Sequence, residues 1–143
     1  MFHSLVDIVR SHGRERPDAG ALIVGDRNIT YGELDDRSSR VAQAFAMAGV
    51  GFGDRVAFVE RNGAEFFDVI FGLAKLGAVG VPVNWRLAAP EMRHVIADSG
   101  AAVVVVGQEF ADHLEAIEDE LSAAIVVIGT HDRWPSFDRW VSA

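Results

Sequence analysis

Four short apolar runs rich in β-branched residues alternate with helical stretches over the last two thirds of this sequence. The runs cover residues 55–60, 79–83, 101–106 and 124–128. Between them, apolar side chains recur three and four apart: Phe66, Phe67, Val69, Ile70, Phe71 and Leu73; then Met92, Val95 and Ile96; then Phe110, Leu114, Ile117 and Leu121. That is the period of a helix with one buried face. Strand and helix alternating through short connections imply parallel strands joined by right-handed crossovers. The expected class is therefore α/β, a mostly parallel sheet with helices on both faces. Residues 101–106 contain no polar side chain, as a strand covered on both faces requires.

Upstream, Phe2, Leu5, Ile8 and Val9 give residues 2–12 a helical period, ended by Gly13 and Pro17. Residues 21–24 and 29–31 flank Gly25-Asp26-Arg27-Asn28, which reads as a short, tight β-hairpin. Thr30 and Glu33 have the spacing of a capping box. They open a helix with an inner face of Leu34, Ser38, Val41, Phe45 and Ala48, stopped by Gly49. Asn62 and Glu65 repeat the spacing ahead of residues 66–76. This stretch is apolar nearly all round, so its helix should be buried on more than one side. Pro90 suits the first turn of the next helix, and residues 134–141 suggest a short terminal one. Residues 1–143 read as one α/β unit without internal repeat or linker, the hairpin being an addition to it.

The formal net charge of −8 argues against a nucleic-acid partner, because a phosphate backbone needs a basic face. Glu109, Asp112, Glu115, Glu118, Asp119 and Glu120 concentrate that charge in one segment, as on a solvated helix face. There is no cysteine, hence no disulfide framework, thiol nucleophile or thiolate metal site. No apolar run is long enough to span a membrane, and the N-terminus lacks the pattern of a secretion signal. A soluble, cytoplasmic protein is the expectation. Three tryptophans and nine phenylalanines lead us to expect exposed apolar surface and self-association as a homodimer.

Several residue groups invite a chemical reading. Gly49-Val50-Gly51-Phe52-Gly53 is glycine-rich, but it follows a helix and precedes a strand, the reverse of a phosphate loop, and no Lys-Ser/Thr follows. A helix stop and a tight turn explain it. His3, His12, His94, His113 and His131 show no metal-ligand spacing. Asp35-Asp36 could form a carboxylate pair, but a place in the first turn of a capped helix accounts for them through the helix dipole. No serine lies in a nucleophile elbow. Asn84-Trp85-Arg86-Leu87 follows a parallel strand, where open sheets bind ligands. Arg86 is expected there as a loop anchor tying down carbonyls with its five donors, with ligand contact as the competing role.

Ile29-Thr30-Tyr31-Gly32-Glu33-Leu34 and the stretch from Gly72 to Leu87 resemble the first two sequence motifs of the adenylate-forming enzymes. That superfamily includes acyl-CoA synthetases, firefly luciferase and peptide-synthetase adenylation domains. Gly53-Asp54-Arg55-Val56, Ala74-Lys75-Leu76-Gly77-Ala78, Val81-Pro82-Val83-Asn84 and Asp98-Ser99-Gly100 add to the match, which runs from about Leu5 to about Ile128. Residues 81–100 look most like the fatty-acyl-CoA synthetase branch. The resemblance implies an acid–thiol ligase that joins a small carboxylic acid to AMP, using ATP and Mg2+, and then passes the acyl group to coenzyme A.

The family's phosphate loop, adenine and ribose segments, magnesium glutamate and C-terminal lysine domain have no counterpart in the sequence. Its phosphate loop would be expected a few tens of residues beyond Ala143. The expectation is therefore the N-terminal part of the large domain of such a ligase, catalytically inactive alone. No catalytic, cofactor-binding or metal residue is carried over. A free-standing non-enzymatic remnant or interaction module of the same fold is the alternative. A receiver-type domain lacks its acidic cluster here.

Overall fold

The computed structural model describes residues Met1–Ala143. Its N-terminal third is organised by α2 (Tyr31–Met47), and the capping box that opens α2 is formed. Thr30 Oγ1 accepts the Glu33 N–H at 3.2 Å, and Glu33 Oε2 accepts the Thr30 N–H at 2.8 Å. Against α2 lie α1 (Leu5–Glu15) and an antiparallel hairpin of β1 (Gly20–Val24) and β2 (Arg27–Thr30). The hairpin turn is Gly25-Asp26 alone, shorter than expected. Val24 already pairs with Arg27, which places Arg27 and Asn28 in the second strand. Val9, Ile29, Leu34 and Ala64 form the small core beneath it.

The remainder alternates as its periodicity implies. In order come β3 (Arg55–Val59), α3 (Ala64–Leu76), β4 (Val79–Pro82), α4 (Ala89–Ser99), β5 (Val103–Gly107), α5 (Ala111–Glu115), β6 (Ala124–Ile128) and α6 (Phe137–Ser142). The four strands form one parallel sheet in the order β4-β3-β5-β6. From β3 the chain steps outward to β4, then crosses back over β3 to β5. The direction of winding thus reverses between β3 and β5.

Side chains leave the sheet on both faces. Ala57, Val59, Val104 and Val106 meet Met92, Ile96 and Leu114 in one core. Val56, Phe58, Val103 and Val105 meet Val41, Phe45, Val69, Leu73 and Phe137 in the other. Helix α3 is buried on two sides, as its apolar circumference requires. Val69 and Leu73 join the second sheet core, while Phe67 and Phe71 pack against the core under the hairpin. Gly72 brings α3 close to α2. A Cβ there would lie 2.8 Å from Val41 Cγ1 and 3.1 Å from the Ser38 carbonyl oxygen. Gly77 then ends α3 in the left-handed conformation, φ 68°, which glycine adopts without steric cost.

The edges of the sheet differ. The N–H groups of Val79 and Val83 bond to Asp54 and Phe58 in and before β3, at 2.7 and 2.8 Å. Every second residue of β4 therefore faces outward, and at position 82 that residue is a proline without an N–H. Such an edge resists the addition of another strand. The β6 edge is partly covered by its own chain, the Val127 N–H bonding to the Pro135 carbonyl at 2.9 Å.

Three local expectations change. Gly63, not Asn62, is the N-cap of α3, with no side-chain cap; Glu65 then sits one position short of the place from which it would reach back. Asp35 and Asp36 lie beyond the first turn of α2, whose only acid is Glu33. The helix expected over residues 110–121 is broken into a 3-10 turn (Gln108–Phe110), α5 and a second 3-10 turn (Glu118–Glu120). Three consecutive acids at the C-terminal end of a helix oppose its dipole, while Phe110, Leu114 and Ile117 keep the buried stripe.

Candidate functional site

Most of the motif residues are occupied in holding elements together. Arg55 donates from Nε to the Ser99 carbonyl at 2.8 Å, from Nη2 to Gly100 at 3.1 Å and from Nη1 to Gly53 at 3.2 Å. One guanidinium thus ties the start of β3 to the end of α4. Lys75, whose side chain is 4% exposed, reaches across from α3 to α2. Its Nζ donates to Asp35 Oδ1 at 2.6 Å, to the Asp35 carbonyl at 2.8 Å and to Ser39 Oγ at 2.8 Å. Asp35 is therefore an anchor for Lys75, whereas Asp36 pairs with Arg40 on the exposed face of α2. The two carboxylates do not act as one pair.

The glycine-rich loop lies at the amino end of the sheet, between α2 and β3. Its amides are already engaged: Gly51 N–H donates to Asp54 Oδ2 at 2.8 Å and Gly53 N–H to the Gly77 carbonyl at 2.9 Å. No phosphate cradle is left. The histidines are scattered. His12 packs between the rings of Phe2 and Tyr31, His131 stacks on Trp134 and meets Glu115, and His94 is exposed. No three His, Asp or Glu side chains converge on a point where a metal ion could sit.

The carboxyl ends of the strands carry a different kind of group. Asn84 closes the turn after β4, its Oδ1 accepting the Arg86 N–H at 3.0 Å. The Arg86 guanidinium makes no hydrogen bond, so the expected tying of carbonyls is not its role; Arg55 performs that role at the opposite end of the sheet. Arg86 is exposed and lies over the ring of Trp85, its Cζ 4.3 Å from the centroid. Arg61, two residues past β3, lies over the same ring at 4.8 Å and pairs with Glu109 at 2.8 Å. Phe110 packs beside Trp85 with centroids 5.5 Å apart. The switch in winding direction between β3 and β5 puts this group where parallel sheets offer a ligand crevice.

A second polar centre was not foreseen from the sequence. Asp68 on α3 is 1% exposed and receives two hydrogen bonds from Arg37 on α2. Burial pushes its carboxyl above the ordinary aspartate range, and the Arg37 guanidinium draws it only part of the way back. The pair floors an open cavity of about 320 Å³ bounded by α6 residues Phe137, Asp138 and Val141. A charged residue inside a helix apolar all round was the available signal. For Arg61 it was a cation immediately beyond a buried strand.

The family model for the AMP-binding enzyme matches residues 9–140. The fatty acid–[acyl-carrier-protein] ligase ScoC of Streptomyces coeruleorubidus is 36% identical over 139 residues, 97% of this chain and 26% of that protein. The long-chain-fatty-acid–CoA ligase FadD13 of Mycobacterium tuberculosis is 42% identical over 92 residues, 64% of this chain and 18% of that one. Among solved structures, the anthranilate CoA ligase AuaEII in complex with anthranoyl-AMP superposes with a TM-score of 0.92 at 32% identity, covering 99% of this chain and 28% of the other. The chain spans between 18% and 28% of the length of each of these relatives.

Proposed function

Because this chain belongs to the AMP-binding enzyme family, we propose that it is the N-terminal part of the large domain of an acid–thiol ligase. The reaction is activation of a carboxylic acid, in our reading a fatty acid, with ATP to an acyl adenylate, followed by transfer to coenzyme A. The branch rests on the fatty-acid ligases among the relatives.

One observation carries the proposal. The motifs shared with the family form the joints of the fold: Thr30 with Glu33, Arg55 with Ser99 and Gly100, Lys75 with Asp35. They leave no nucleophile, phosphate cradle or metal cluster. The residues present do not fit the triphosphate of ATP or a magnesium ion. What the chain supplies is a rigid α/β frame, with Arg61 and Arg86 at the strand ends as the cations available to an anionic substrate group. No helix is long and apolar enough to cross a membrane. The exposure of Ile23, Met47 and Phe52 supports the self-association expected from the aromatic content, which light scattering of the purified chain measures.

Acid-dependent pyrophosphate exchange tests the assignment. The chain alone should show none, because positioning and charge stabilisation of the phosphates are missing. A chimera in which residues 1–143 replace the matching segment of ScoC should show exchange with fatty acids. A folded chimera without exchange, or clear exchange by the chain alone, would overturn the proposal.

A further inference from the structure

Asn62 stands in the turn between β3 and α3, and no contact uses its side chain. The chain leaves β3 through Glu60, Arg61, Asn62 and Gly63, and Gly63, extended at φ −147° and ψ −169°, is the N-cap of α3. The hydrogen bonds of this turn belong to Arg61. Its N–H donates to Glu60 Oε1 at 2.7 Å and its Nη2 to Glu109 Oε1 at 2.8 Å. The Asn62 side chain is exposed and enters no hydrogen bond, and neither does the Gly63 N–H. A side-chain amide and the main-chain nitrogen that follows it are therefore neighbours, both unrestrained. Glycine has no Cβ to crowd that nitrogen.

We infer that Asn62 is a site of spontaneous deamidation through a cyclic imide. The Gly63 nitrogen attacks the Asn62 side-chain carbon Cγ. The new C–N bond closes a succinimide ring while the bond from Cγ to the amide nitrogen breaks, and ammonia leaves with the proton given up by Gly63. Water, the only co-reactant, then opens the ring. Opening at Cγ leaves aspartate at residue 62. Opening at the main-chain carbonyl leaves isoaspartate, whose backbone runs through the side chain and is longer by a methylene. Either product places a carboxylate beside Arg61 and just before the amino end of α3, which lacks a side-chain cap and favours negative charge there.

The other two asparagines lack this arrangement. Asn28 lies within β2 and precedes Ile29, which is β-branched and buried. Asn84 precedes Trp85 and has its side chain held, Oδ1 accepting the Arg86 N–H at 3.0 Å. Both are controls within the same molecule.

The test ages the purified chain in mildly alkaline buffer made with heavy-oxygen water, then follows the three asparagine peptides by mass spectrometry after digestion with pepsin in acid. Asn62 should take up heavy oxygen and give both aspartyl and isoaspartyl forms, at least about tenfold faster than Asn28 or Asn84, because only its attacking nitrogen is uncrowded. Gly63→Ala should slow the conversion about tenfold for the same reason. Its extended backbone suits alanine, and the added Cβ meets only the flexible end of Glu65, at 3.3 Å.

Conversion confined to the urea-unfolded chain would show that the folded turn keeps the two groups apart, and would overturn the inference. Similar conversion at all three asparagines, or an unchanged rate in Gly63→Ala, would do the same. Aspartate without isoaspartate would mean direct hydrolysis of the amide in place of ring closure, and would overturn it too. The internal controls and the product mixture decide the matter even where Gly63→Ala does not fold. The ligase assignment is judged separately, by the chimera.

Discussion

Arg37 donates two hydrogen bonds to a single oxygen of Asp68, from Nε at 2.9 Å and Nη2 at 2.6 Å, and the other oxygen, Oδ1, has no partner. The carboxylate is buried between α2 and α3 with one cation as its compensation. Removing that cation leaves a buried charge, the costly half of a broken ion pair. Arg37→Met should destabilise the chain by about 2–4 kcal/mol, whereas Arg37→Met/Asp68→Leu should regain most of that loss. Urea unfolding of the three proteins checks both parts. A double variant no better than the single one would mean that the pair is a net source of stability.

The same carboxyl sets a pH dependence. Its folded-state pKa is raised, with burial the larger cause and Arg37 opposing it. The folded state then holds the proton more tightly than the unfolded chain. Its contribution to stability is greatest below the unfolded aspartate value, about 3.9, and declines as pH rises through that value and the raised folded one. Relative to Arg37→Met/Asp68→Leu, the wild type should lose stability as pH climbs through this window. A difference that grows in the other direction would contradict the placement of the charge.

Lys75 and Gly72 hold α2 and α3 at their separation by opposite means, one by reach and the other by absence. Lys75→Met should cost about 2–4 kcal/mol, since it strands the Asp35 carboxylate and the Asp35 carbonyl near the helix contact. Gly72→Ala should cost about 1–3 kcal/mol through overpacking, although alanine in a helix is otherwise worth about 1 kcal/mol over glycine. Thermal melts distinguish the cases. A stabilised Gly72→Ala would show that the two helices can move apart freely.

Two arginines near motif glycines and loops should behave differently. Arg55→Ala removes bonds to three carbonyls and should destabilise by about 1–3 kcal/mol. Arg86→Ala removes none and should shift stability by no more than about 0.5 kcal/mol. Asn84→Ala, which frees the Arg86 N–H, should cost about 1 kcal/mol. If Arg86→Ala proved as damaging as Arg55→Ala, the cation–π contact with Trp85 would be a structural support.

What the sequence made legible was what depends on local pattern. The valine run of β5, the alternation that forces parallel pairing and the Thr30–Glu33 box all stand where periodicity and spacing put them. What escaped depends on partners distant in the chain. Arg37 and Asp68 are 31 residues apart, Lys75 and Asp35 are 40, and Arg55 and Ser99 are 44. No spacing rule reaches that far, so Asp35 read as a dipole residue and Arg86 as the anchor that Arg55 proved to be. The acidic segment from Glu109 to Glu120 read as solvated. That reading holds, since all of its acids but the half-buried Glu118 are exposed, and what escaped was the surface pairing of several: Glu109 with Arg61, Glu115 and Glu118 with Arg133, and Glu120 with Arg93.

Every residue of β5 is buried, and its valines face the two cores by turns, Val103 and Val105 on one side, Val104 and Val106 on the other. A strand shared in this way makes the two helical layers mechanically dependent. Neither can loosen without disturbing the strand the other is built on, so damage on one face should be felt across the whole sheet. Heritable lesions in α4 should accordingly find suppressors among residues of α2 or α3, on the opposite side of a wall that no side chain crosses.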